Sequence, residues 1–428
     1  MNKYLKLLEH VFIVVSLFLS TGAILAVVSS DGFSEGEDRT IDFTDYTLVK
    51  STFLIVKLIG ILLLIFRWKK FAYTIRQNRY VLIFTALAIL SVMWSDSPSK
   101  TLSRSIGLLT TNLFGIYVAT RYTMKEQFTI FVQVFGVVLI TSILFIIFLP
   151  KYGIMGGIHV GTWRGVYIHK NVFGQTLVMC TSIFFLRSIS DNKNAFLINL
   201  GLILSIILLL MTKSSGALGN LLIIFNIFLI LNTWRWRLEI MIPASIGLIF
   251  IGIVSKLWID DNAGILFSAV NKDPSLTGRT ELWSLLIEIA LRKPWLGYGY
   301  DIFWAGFNGS SAEVWYTVGW HPPNAHNGFL DVWLSLGLAG LVSFGINFLN
   351  ILFKGFIWLR YFIKTPDGFW PLMFMVWLVL SNVSESSLMT KNEFATIIYT
   401  TLSYSLIIEI SGRYKPNLLT ISEEIQEG

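Results

Sequence analysis

The stretch HPPNAHNGFLDVWLSLGLAGL, residues 321–341, opens with two histidines, two prolines and two asparagines, then becomes an apolar helical run. A helix needs about 20 mainly apolar residues to cross a bilayer, and the span predicted here covers residues 326–352. The whole chain has only five histidines. Two of them at the mouth of one membrane helix point to a polar site at the membrane surface.

The apolar pattern recurs along the chain. Of 428 residues, 54% are hydrophobic and 14% are charged, and the mean hydropathy is +0.67. Soluble domains carry about 25% charged residues, so a soluble globular protein is excluded and an all-α polytopic membrane protein is predicted. Candidate spans fall near 9–29, 50–67, 79–95, 104–121, 127–149, 170–187, 195–212, 216–232, 238–257, 326–352, 370–388 and 394–412, about twelve transmembrane helices at the usual length. The first resembles a signal peptide but exceeds the roughly 7–15 apolar residues of a signal core, so it is expected to stay as a helix. The formal charge of +7 does not indicate nucleic acid, because the basic residues cluster in short loops between spans, the pattern that orients membrane proteins. Cys180, the single cysteine, lies in an apolar run and reads as a small buried hydrophobe.

With the N-terminus inside, the basic loops at 67–70, 121–125, 187–193, 234–237 and 354–364, and the tail with Arg413 and Lys415, fall on the cytoplasmic side. The acidic loop 29–45 falls outside. Residues 1–428 are therefore read as one integral membrane domain, with both termini cytoplasmic. Residues 258–325 form one long, partly helical periplasmic loop, and connections of that length are commonly functional. Within it TELWSLLIEIALR (280–292) has helical periodicity, with Glu288 and Arg292 as an i,i+4 pair. PWLGYGY (294–300) ends that helix.

Charge gathers on the outer side. GTWRGVYIHKN (161–171) carries Arg164, His169 and Lys170; TKSSG (212–216) carries Lys213; TGRTELW (277–283) sets Arg279 at a helix start; SESSLMTKNE (384–393) carries Glu385 and Lys391. Helix N-termini favour anions, and a guanidinium fork fits phosphate oxygens. Such a site would stabilise a departing diphosphate as its charge grows without a divalent ion. No metal or cofactor is therefore expected, and the adjacent Asp260 and Asp261 are weak ligand candidates. His326 precedes its span where the helix dipole and nearby cations should keep the imidazole uncharged, placed to take a proton from a sugar hydroxyl. His321 is read as shaping the loop. Plainer readings stay open: Arg164 and Arg279 as binders of anionic headgroups, Lys170 and Lys213 as interfacial lysines, and Glu385 as a solvated carboxylate. Trp163, Trp283, Trp295 and Trp320 read mostly as interfacial anchors.

Six stretches resemble, in this order, the O-antigen ligase and polysaccharide polymerase superfamily, particularly its exopolysaccharide polymerase branch. They are WSDSPSKTLSRS (94–105), WRGVYIHKNVFGQ (163–175), TKSSGAL (212–218), GRTELW (278–283), PWLGYGYDIF (294–303) and NAHNGFLDVWLSLGLAGL (324–341). The resemblance implies a GT-C-like membrane glycosyltransferase, metal-independent and inverting. It would move a glycan from undecaprenyl diphosphate to a hydroxyl of another repeat, or of lipid A–core, on the periplasmic side. It implies donor diphosphate binding by Arg164 and Arg279, acceptor activation or diphosphate contact by His326, and a structural or donor-proximal role for His169, Lys170 and Asn171; Lys213 and Glu385 are supporting candidates from their outer-side placement. The wording of the motifs favours a polymerase over an O-antigen ligase, with the bilayer and a chain-length-regulating membrane protein as partners. A lipid-linked glycan transporter is the alternative of another class. Against it, the two halves of the chain look unalike and the informative charges sit at outer helix ends.

Overall fold

The computed structural model describes residues 3–34, 47–190, 194–233, 239–240, 242–244, 246–247, 250, 279–362 and 365–426. The helices in chain order are α1 (Lys3–Ser20), α2 (Leu25–Ser29), α3 (Thr47–Ile65), α4 (Trp68–Gln77), α5 (Tyr80–Leu90), α6 (Pro98–Arg121), α7 (Met124–Phe148) and α8 (Pro150–Gly153). They continue with α9 (Lys170–Ser188), α10 (Ala195–Met211), α11 (Ser215–Thr233), α12 (Arg279–Arg292), α13 (Ala312–Val318), α14 (Gly328–Ile357), α15 (Trp370–Ser384) and α16 (Phe394–Gln426). Every predicted span coincides with a helix except 238–257, which lies largely outside the described residues. So do Asp260, Asp261, the 234–237 loop and most of the 29–45 loop.

Among the described residues, five helical runs are long and apolar enough to cross a membrane: α3, α7, α11, Gly328–Arg360 and Phe394–Ser411. Tyr80–Met93, Ala195–Met211 and Trp370–Ser384 are apolar but shorter. The chain is an all-α polytopic membrane protein. Length and composition alone do not carry the count to twelve, and α6 and α9 show why. Both are packed against other helices and carry polar side chains that find partners inside the bundle. The Asn112 amide donates to Thr85 Oγ1 at 2.8 Å and accepts from Thr400 Oγ1 at 2.8 Å. Thr181 Oγ1 donates to Ser205 at 3.0 Å. Internal partners of this kind are what make polar groups tolerable away from water. RWKK (67–70), expected as a loop, instead leads into the amphipathic α4, which buries Thr74 and leaves Trp68, Lys69 and Lys70 exposed. Cys180 is buried, as its apolar setting predicts.

The apolar run that follows NAHN is two helices joined at Gly337, whose φ of 65° and ψ of −165° break the ladder inside α14. PWLGYGY supplies the missing partners. The Tyr298 and Gly299 N–H groups donate to the Leu334 and Ser335 carbonyls at 2.8 and 2.9 Å. The Leu338 and Ala339 N–H groups donate to the Pro294 and Trp295 carbonyls at 2.8 and 3.1 Å. A Cβ on Gly299 would lie 2.6 Å from Ser95 Oγ, and Trp94 Nε1 donates to the Leu296 carbonyl at 2.9 Å. Three of the six motif stretches thus lock onto one another. Irregular backbone within a span persists only where such partners exist.

α12 forms as its periodicity predicts and packs on α13 and α14, burying Leu282, Leu286 and Ile289 against Tyr298, Phe303 and Leu334. The expected Glu288–Arg292 pair forms at 3.1 Å, and Arg292 also forks onto Glu313 of α13 at 2.7 and 2.8 Å. At one end of the bundle, Arg121 pairs with Glu9 at 2.9 Å and Arg67 donates to the Thr120 carbonyl at 3.3 Å. The other end gathers α12, the starts of α9 and α14, and the turns after α10 and α15.

Candidate active site

The segment NAHN is built around its histidine. His326 has φ 48°, a left-handed conformation that is uncommon for a residue other than glycine, and two asparagines support it. The Asn324 side chain accepts the His326 N–H at 2.9 Å, and the Asn327 side chain caps α14 by accepting from Phe329 and Leu330 N–H at 3.0 and 3.2 Å. Local acceptors of this kind are what short Asn side chains provide at turns and helix starts. Ala325 is fixed from two sides. Its N–H donates to both carboxylate oxygens of Asp331 at 3.2 Å, and its carbonyl accepts from Trp283 Nε1 of α12 at 2.9 Å. Trp283, read from sequence as an interfacial anchor, ties α12 to the histidine loop. His321, as expected of a loop-shaping residue, packs its ring beside Trp315 and Phe307, with centroids 4.7 and 5.1 Å away.

The turn after α15 connects the histidine loop to Arg279. Ser386 Oγ accepts the Asn327 N–H at 3.1 Å, and the Glu385 carbonyl accepts the Gly328 N–H at 3.1 Å. Arg279, the first residue of α12, donates to the Ser384 carbonyl at 2.9 Å and stands 3.9 Å from the Glu385 carboxylate. Burial raises the Glu385 carboxyl above its ordinary range, while Arg279, His169 and a hydrogen bond from Asn171 pull it back down. The start of α9 therefore reaches the same turn. The His169 ring caps α9 by accepting the Asn171 N–H at 3.1 Å, and Asn171 Oδ1 accepts from Ser214 at 3.2 Å. That last contact brings in the α10–α11 turn, where Lys213 is exposed with φ 49°. Lys170 is half-buried, its N–H directed at Met155 Sδ at 3.4 Å.

Arg164 does not share this opening. It is fully buried. Its Nε and both terminal nitrogens donate to the carbonyls of Tyr152, Phe33 and Lys151, each at 2.8 Å, to Ser34 Oγ at 3.2 Å and to the Gly32 carbonyl. Sequence reading expected Arg164 to bind diphosphate; among the described residues its guanidinium instead meets backbone carbonyls and a hydroxyl. A guanidinium offers five donors in a fixed fork, and here they cross-link the turn after α2 to α8. That is scaffold geometry, not an open anion cradle.

Two hollows meet at the histidine loop. The larger, about 300 Å³, is lined among others by Arg104, Asp301, Trp304, Asp331, Ser335 and Lys391. The smaller, about 170 Å³, includes Gln175, Trp377, Glu385 and Glu393. Asn324 and Ser386, which brace the backbone on either side of His326, line both. Sequence reasoning gave no role to Arg104, Asp301, Asp331 or Glu393. The first three sit inside motif stretches already quoted, so their signal was present, but nothing local distinguishes them from surface charges.

Comparison with known proteins follows from this geometry. Residues 200–345 match the O-Antigen ligase family. The exopolysaccharide production protein ExoQ of Rhizobium meliloti (strain 1021) is 24% identical over 281 residues, which cover 61% of this chain and 62% of ExoQ. Over these residues the chain is similar to the O-Antigen ligase family and to an exopolysaccharide production protein. The region matched by the O-antigen ligase family holds Lys213, Arg279, Asp301, His326 and Asp331. The remaining partners, Arg104, His169, Glu385 and Lys391, lie outside it and complete the site through the fold.

Proposed function

We propose that the protein is a periplasm-facing glycosyltransferase of the bacterial inner membrane that polymerises undecaprenyl-diphosphate-linked oligosaccharide repeats into exopolysaccharide or O-antigen. The observation that carries this reading is the meeting of two hollows at the His326 loop, with Arg279 and Glu385 joined to the same turn. A transferase needs two substrates on either side of one proton acceptor, and a transporter needs no such base. In the proposed step, the acceptor hydroxyl oxygen attacks the anomeric carbon and gives its proton to the His326 imidazole. The bond from that carbon to the diphosphate oxygen breaks, its electron pair leaves with the diphosphate, and the configuration inverts. Arg279, at the start of α12, neutralises the growing negative charge. Glu385 and His169 position Arg279 and the turn beneath it. Arg164 acts one layer back by fixing the segment that leads into α9. The likeness to an exopolysaccharide production protein supports a role in making exopolysaccharide.

The test is deletion of the gene in its host, followed by analysis of lipid-linked intermediates and complementation with His326→Ala and Arg279→Ala. Single repeats on the outer face of the membrane, restored to polymer by wild type and by neither variant at equal protein level, are expected. Long lipid-linked polymer with bare lipid A–core would instead indicate a ligase, and repeats trapped on the inner face a transporter. Near-normal polymer from both variants would remove the assignment of roles.

A further inference from the structure

The larger hollow has a chemistry of its own. The Asp301 carboxylate accepts from Lys391 Nζ and lies 3.8 Å from Arg104 Nη1, and its backbone carbonyl accepts from Arg104. The second acid, Asp331, accepts from Trp304 Nε1 at 2.7 Å, which fixes the indole. Phe303 supports that ring edge-on, at 5.1 Å and 85°. Two cations thus face two carboxyl groups, so the lining has no surplus positive charge with which to hold a diphosphate. Its donors and acceptors alternate beside an immobilised aromatic wall. That combination suits a polyhydroxylated ring, which offers hydroxyl edges to charged groups and a C–H face to an aromatic. The volume of about 300 Å³ lies at the small end of ligand sites, room for a terminal sugar and not for a lipid. Two lining residues, Asp301 and Met389, have φ of 57° and 54°, and backbone of this kind gathers at ligand sites.

We propose that this hollow is the subsite for the terminal sugar of the acceptor glycan, with Trp304 as its stacking platform and the Arg104–Asp301–Lys391 cluster reading its hydroxyls. The assignment rests on the transfer reading above and adds to it the side from which the acceptor reaches His326. The shared wall of Asn324 and Ser386 leads from this hollow to the histidine loop.

The experiment is isothermal titration of the full chain in lipid nanodiscs with two probes: the repeat-unit oligosaccharide released from the host's polymer, and inorganic pyrophosphate. Wild type should bind the oligosaccharide. Trp304→Ala should weaken it at least tenfold, and Trp304→Phe should recover most of the loss. Thr390→Trp, which fills the hollow without removing its wall, should match Trp304→Ala and covers the case in which that variant fails to fold. Pyrophosphate binding should be unchanged in all of them. Loss of pyrophosphate binding in place of oligosaccharide binding would make the hollow a leaving-group site and overturn the proposal, as would no change with either probe. Full transfer by His326→Ala would sink the transfer reading separately, because the binding measurement does not depend on turnover.

Discussion

Replacing Arg164 separates the diphosphate role expected from its sequence from the cross-linking role its contacts describe. A diphosphate ligand would be lost without harm to the fold, whereas a cross-link would not. Among the described residues the guanidinium donates to five backbone carbonyls, those of Gly32, Phe33, Lys151, Tyr152 and Ile168, and to one hydroxyl, with the side chain fully buried. A hydrogen bond to a charged group contributes about 1.5–3 kcal/mol. Such contributions are not additive, and Arg164→Ala would also leave several carbonyls buried without donors. A total loss on the order of 5 kcal/mol is expected, comparable with the whole stability of many domains at about 5–15 kcal/mol. Arg164→Lys, with three donors and no fork, should fall between alanine and wild type. The measurements are protein level in isolated membranes and the unfolding temperature in detergent, with His326→Ala as the folded, inactive reference. Arg164→Ala at normal level with an unchanged unfolding temperature, yet inactive in transfer, would refute the cross-link and return the residue to the donor site.

Three further outcomes are expected. Gly337→Ala should cost several kcal/mol, because its backbone conformation strains any other residue by about 1–3 kcal/mol and a Cβ there would overlap the Trp295 carbonyl. The unfolding temperature measures this, and no drop would mean the break in α14 tolerates a side chain. Glu393 precedes α16, and burial pushes its carboxyl up from 4.5 to about 7, with Lys391 opposing. The folded state then binds the extra proton between those values. Stability from this group is present below pH 4.5 and lost as pH rises through 7, by at most on the order of 3 kcal/mol. Glu393→Gln should therefore gain in unfolding temperature over wild type from pH 5 to pH 8, and parallel profiles would show the carboxyl is not held protonated. Transfer should persist in excess chelator, since Arg279 supplies the charge for the leaving group; loss restored by magnesium or manganese would contradict this.

Much of the site was visible along the chain, and its failures have a common cause. NAHN, the helix start at Arg279 and the acid at Glu385 could be read locally, because a cap, a helix N-terminus and a polar turn are made by neighbours in sequence. Arg164 reads as an outer-side cation, whereas Arg104 draws no reading. One proved to be spent on carbonyls contributed from residues 32–34 and 151–152, and the other lines a hollow with Asp301, nearly 200 positions later. PWLGYGY read as a helix terminator, while its second use as the patch for a broken α14 needed both strands of the contact.

Hydropathy and period determined the class of the molecule and nearly every described helix, because burial in lipid and the 3.6-residue turn act on stretches short enough to be seen in a window of sequence. The tertiary structure alone decided which polar side chains find partners and which remain open to a ligand. A charged group's fate depends on the atoms beside it in space, and in this bundle those atoms arrive from helices hundreds of residues apart.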